Sequence, residues 1–102
     1  MQKILDAAKT IDGLLQDAER DAQKALNYRE SDPDLAHMYL DHSKDAMKAI
    51  QEKHSDVKKW IKDVEVQGQK PPAGMMEMYQ YIHDRHIVTA EKIAELQKRY
   101  DA

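Results

Sequence analysis

Residues 30–34 read Glu-Ser-Asp-Pro-Asp, "ESDPD", between two long stretches of helical periodicity. Ser31 or Asp32 can accept a hydrogen bond from the free N–H groups that open a helix. Pro33 suits a first helical position, where its missing N–H is no loss. The motif therefore reads as a helix start. So short a break between two long helices forces the chain to double back, and an antiparallel helical hairpin is expected.

On the N-terminal side the periodicity predicts a helix over about 1–30, with Ile4, Ala8, Ile11, Leu15, Ala18, Ala22, Ala25 and Leu26 in one stripe. Gly13 weakens it without interrupting the stripe. Small residues at its buried edge (Ala7, Ala8, Ala18, Ala22 and Ala25) let a neighbouring helix approach closely. On the C-terminal side a second helix is expected over 33–66. Its stripe is read as Leu35, Tyr39, His42, Ala46, Ala49, Ile50, Lys53, Val57, Trp60, Ile61 and Val64. The stretch "QGQKPPAG" then stops it, because Gly68 and the Pro71-Pro72 pair cannot continue a helix. A third helix follows over about 74–100, with Met75, Tyr79, Ile82, His86, Ala90, Ile93, Gln97 and Tyr100 in line. At 1.5 Å per residue these helices are roughly 40–50 Å long. The second linker is long enough for an antiparallel return or for a swing toward another chain. The expected fold is all-α, a single domain over 1–102, built as a ferritin-like or three-helix bundle. Three such helices make a thin bundle, and a dimer of hairpins buries more, so a homodimer or higher homo-oligomer is expected.

Composition agrees with helices. Charged residues make up 34% of the 102 positions, aromatics 6%, and Phe is absent. The formal charge of −3 is spread over 16 basic and 19 acidic residues, so no broad positive field marks the chain for nucleic acid. The densest basic stretch, Lys53 to Lys62, is interrupted by Asp56 and reads as a solvated helix face. The absence of cysteine excludes disulfides and thiolate ligands and fits a reducing compartment. No apolar run approaches ~18 residues and no secretion signal opens the chain, so a cytoplasmic protein without a membrane partner is expected.

Several polar residues fall where the stripes ask for hydrophobes. At about 100° per residue, His42 and Lys53 lie near the middle of the second stripe, His86 and Gln97 near the middle of the third, and His83 just to one side. Arg29 is central in the first stripe and Glu19 marginal. Lys53 and Arg29 can run their stems out to water. A histidine on an apolar face is more often a hydrogen-bonded core residue than a ligand, but "YIHDRH" (81–86) holds two imidazoles three residues apart, a spacing that lets both reach one ion. Counting from the turns brings Glu19, His42 and Gln97 to one level. Asp12, His54, Asp56, His83 and His86 fall at another, roughly 15–20 Å away. Neither set is a finished metal site, which for a transition metal needs three or four ligands.

The stretch from Tyr28 to His54, "YRESDPDLAHMYLDHSKDAMKAIQEKH", resembles short ferritin-like or rubrerythrin-like proteins, some of them encoded by phages. Members of that family hold two iron or manganese ions between a Glu on each of two helices and a Glu-x-x-His on each of the others. The resemblance places that Glu at Ala46 and that His at Ala49, with Glu19 as the first-helix carboxylate and Glu91 as one on the third helix. It implies the fold, and it implies that the di-metal site has been lost.

Other catalytic signatures are absent: no glycine-rich phosphate loop, no cysteine nucleophile, no serine in a strained turn. Ser43 and Ser55 read as helix-face residues. Met75, Met76 and Met78 read as the edge of a core or an adaptable partner-binding surface. The expected function is that of a non-enzymatic, self-associating bundle, an accessory or adaptor protein that is phage-related if the resemblance holds, with no catalytic residue and no cofactor. The alternative is a ferritin-like metal-binding protein holding Fe, Zn or Mn on His83 and His86, with Glu19, His42, His54 and Asp56 as companions. A third reading makes the stripe histidines a pH-responsive interface.

Overall fold

The computed structural model describes residues 2–68 and 74–102, and the side chains among them other than those of residues 2, 3, 75 and 78. The described residues form three helices: α1 (Gln2–Tyr28), α2 (Pro33–Val66) and α3 (Met75–Asp101). The boundaries agree with the sequence expectation to within two residues. The "ESDPD" turn is built as its chemistry requires: Asp32, not Ser31, is the cap, its carboxylate accepting from the Leu35 N–H at 3.2 Å, with Pro33 next in line. Just behind the turn the Tyr28 and Tyr39 rings stack 6.0 Å apart and pin the two helices together. The Pro71-Pro72 break and the Met75 and Met78 side chains lie outside the described residues. Gly74 opens α3 at φ +83°, a conformation an L side chain rarely adopts.

The third helix returns onto its own hairpin. It runs antiparallel to α2 and parallel to α1, because Arg29 at the end of α1 donates to the carbonyls of Arg99 (3.0 Å) and Ala102 (2.8 Å) at the end of α3. Arg29 is exposed, its stem running out to water as the sequence allowed, and its guanidinium holds these last carbonyls. α1 is the central element and packs directly on both neighbours, whereas α2 and α3 leave a seam between them. The core has two parts. Ile4, Ala7, Val57 and Ile61 form one, with Trp60, Tyr79 and Ile82 against it. Ile11, Leu15, Ala18, Ile50 and Ile93 form the other.

The α2 stripe differs from the expected one. Ala36, Leu40, Ser43, Ile50, Val57 and Ile61 are buried, with Met47 and His54 half-buried between them. That set is rotated by one residue from the expected stripe, so His42 and Lys53 are exposed and Ser43 and His54 face inward. The reason is the repeat. Ala36, Ser43, Ile50 and Val57 recur at strict sevens, as do Leu40, Met47, His54 and Ile61. A seven-residue repeat follows supercoiled helices, while a straight 3.6-residue count drifts by ~20° per heptad.

Candidate functional site

Two polar layers cross this apolar bundle. In the lower one the Gln97 amide (Nε2) on α3 donates to Ser43 Oγ on α2 at 3.2 Å, and Ser43 Oγ donates to the Ala18 carbonyl on α1 at 2.8 Å. Three helices are thereby tied at one level. Ser43 can sit there fully buried because Ala18 opposite has almost no side chain. The predicted set of Glu19, His42 and Gln97 does not assemble. His42 is exposed, and Glu19 instead pairs with Lys92 at 2.6 Å, a contact that raises the lysine's pKa.

The upper layer is the second predicted constellation, and the structure brings most of it together. His86 is buried, with Nε2 3.3 Å from Asp12 Oδ1 on α1 and Nδ1 3.1 Å from His54 Nε2 on α2. His83 stands edge-on to His54, ring centres 5.9 Å apart, and its other face stacks on Tyr79. Asp56 does not join. It is exposed, two residues on from His54 and so roughly 200° around the helix.

Proton positions follow from the partners. A carboxylate accepts only, so His86 Nε2 carries the hydrogen donated to Asp12. His86 Nδ1 then holds a lone pair, and His54 Nε2–H donates to it. His54 Nδ1 is left with a lone pair, buried and without a hydrogen-bond partner. The chain of donors ends there, with both rings neutral. A proton added at His54 Nδ1 meets no acceptor, lies close to the Lys58 charge, and has His86 and His83 beside it. Burial first and those neighbours second lower the His54 pKa below its usual 6.5. Burial likewise lowers that of His86, outweighing the opposing pull of Asp12, with Arg85 and His83 adding to the depression. Burial raises the pKa of Tyr79, whose hydroxyl also has no partner.

His86 separates two clefts. One, about 180 Å³, lies in the α2–α3 seam among Met47, Gln51, His54, His83, Ile87 and Ala90. The other, about 250 Å³, lies between α1 and α3 beside Leu5, Asp12, Tyr81 and Arg85. Among the described residues no serine, threonine, cysteine or lysine lines either cleft. The layer can hold or release a proton, and it fixes which residues of the three helices stand level.

A di-metal centre of the ferritin type does not fit these residues. Ala46 and Ala49 are half-buried beside the core and carry no donor atoms, Glu91 is exposed, and Glu19 is engaged by Lys92. Among the described residues no group of three or more His, Asp or Glu is placed to hold a metal ion. Ser43 is the functional-looking residue that the sequence reading missed; its position in the seven-residue repeat was the available signal.

Among the described residues no helix is long and apolar enough to cross a membrane. Comparison with protein-family models, with curated proteins and with solved structures finds no match to the chain.

Proposed function

We propose that the chain is a non-enzymatic, self-associating helical-bundle protein that serves as an adaptor or accessory subunit. The observation that carries this reading is the surface it exposes. A compact monomer of 11.8 kDa exposes about 5,900 Å². This chain exposes 6894 Å², a surplus of roughly 1,000 Å² and close to one partner's share of a standard interface. The surplus follows from shape: the molecule measures 57 × 19 × 18 Å, and its radius of gyration is 16.4 Å against about 13 Å for a compact domain of this length. The non-enzymatic part rests on the upper polar layer, in which Asp12, His86 and His54 Nε2 satisfy one another and the bare His54 Nδ1 is buried.

Sedimentation velocity on the untagged chain over a hundredfold concentration range tests the reading. The expected result is a dimer mass that persists to low micromolar concentration. A monomer throughout removes it.

A further inference from the structure

Among the described residues α2 and α3 make little direct contact, which leaves a long seam between them, and the charges along it are largely sorted by helix. At about 100° per residue the strip of α2 that faces out of the seam carries Lys44, Lys48, Lys58 and Lys62, with the carboxylates Asp41 and Glu65 only at its two ends. The matching strip of α3 carries Asp84 and Glu91, with Glu95 at its margin, against the single cation Lys98. All of these residues are exposed, and among the described residues no ion pair joins one strip to the other. Between the strips lies the cleft over His54 and His83, with Ile87 at its lip, 42% exposed.

We propose that two copies of the chain associate through this seam in parallel, about a two-fold axis along the bundle, so that α2 of each lies over α3 of the other. The inference rests on the self-association reading and names its surface. Charge selects the arrangement. With the axis along the bundle, each basic strip meets an acidic one. With the axis across it, α2 would face α2, lysines against lysines, and α3 would face α3, carboxylates against carboxylates. Like charges so placed cost far more than the matched pairs gain, so orientation is set by repulsion as much as by attraction.

Register follows from the histidines. His54 and His86 stand level, and α2 and α3 run antiparallel, which puts Lys48 at the height of Glu91 and Lys44 at the height of Glu95. The same count sets Ile87 level with the cleft itself. Ile87 of each copy then enters the cleft of its partner, covering Met47 and the exposed edges of His54 and His83. The apolar anchor stands at the centre and the ion pairs at the rim, the usual division in a protein interface.

The test is sedimentation equilibrium on the full chain and four variants, each first checked for unchanged helix content by circular dichroism. Ile87→Asp, at an exposed site, is expected to raise the dimer Kd by at least about thirtyfold, a loss of the size seen for interface anchors. Lys48→Glu and Glu91→Lys are each expected to raise it about three- to tenfold, and the double variant to return within about twofold of the parent. Singles that weaken without recovery in the double would overturn the parallel arrangement. A dimer indifferent to all four variants would overturn the seam while leaving self-association intact. A parent chain that is monomeric throughout would overturn both.

Discussion

At the scale of single residues, the His54–His86–Asp12 chain decides how the molecule responds to acid. Both imidazoles are neutral in the fold, and their pKa values lie below the usual 6.5 because burial and neighbouring positive charge penalise the cation. The unfolded chain therefore binds more protons than the folded one between the folded and unfolded pKa values. Stability then rises with pH across that window, so it is full above about pH 7 and declines as pH falls below 6.5 toward the depressed folded values. Each histidine can add at most about 1.4 kcal/mol per pH unit to that decline. Urea unfolding at pH 7.5 and 5.5 checks it: the parent should lose stability on acidification. His54→Leu, which removes one titrating ring and leaves an apolar side chain, should flatten the dependence. An equal slope in the variant would show that these rings do not carry it. The same residues show where sequence reading succeeded. Asp12, His54, His83 and His86 were legible as a group because antiparallel counting fixes height along a bundle. Asp56 was wrongly included because height alone says nothing about which side of the helix a residue occupies.

Element boundaries were legible because Pro, Gly and capping residues act locally. Asp32, Pro33 and Gly74 do their work within a few residues, without help from the rest of the fold. The phase of α2 was not local. Leu35, Tyr39 and Trp60 pulled the apparent stripe one residue to the side, and only packing against α1 shows that the seven-residue repeat through Ile50 and Val57 is the buried one. That single rotation exchanged His42 for Ser43 and Lys53 for His54. It hid Ser43, so that of the lower polar layer only Gln97 was legible. Polar residues at repeat positions cost stability and fix register in helical bundles, and two such layers in this chain hold α1, α2 and α3 at one relative height. The cap makes a prediction of its own at this scale. Asp32→Ala removes the acceptor of the Leu35 N–H and should destabilise the chain by about 1 kcal/mol. Ser31→Ala, one residue earlier, should change it by less than about 0.5 kcal/mol. Chemical denaturation of the pair separates the two caps that the sequence left open. Equal losses would mean that the hydroxyl shares the role.

At the scale of the whole molecule, α1 is the spine and its two partners are held unequally. α2 buries a continuous series from Ala36 to Ile61 against it, while the described side chains of α3 contribute His86, Ile93 and Leu96 to the buried set. The N-terminal half of α3 rests on the half-buried Tyr79 and Ile82, and its other end is held by the Arg29 guanidinium on its last carbonyls. Regions with fewer buried apolar contacts open at lower free energy than the global transition. Hydrogen exchange should therefore report α3, from Tyr79 to about Val88, as the least protected of the helical interiors, and α1 from Ile11 to Ala25 as the most protected. Ile93 is the pivot of this docking, fully buried between Ile11, Leu15 and Ile50. Ile93→Ala should cost about 2–5 kcal/mol and should speed exchange in α3 far more than in the α1–α2 hairpin. Concentration adds a second axis to the same measurement. If a second copy covers the α2–α3 seam, protection of α3 must rise with protein concentration while that of the α1 interior stays tied to global unfolding. Uniform exchange across all three helices would mean that the bundle opens only as one unit, and concentration-independent protection of α3 would mean that nothing docks on it.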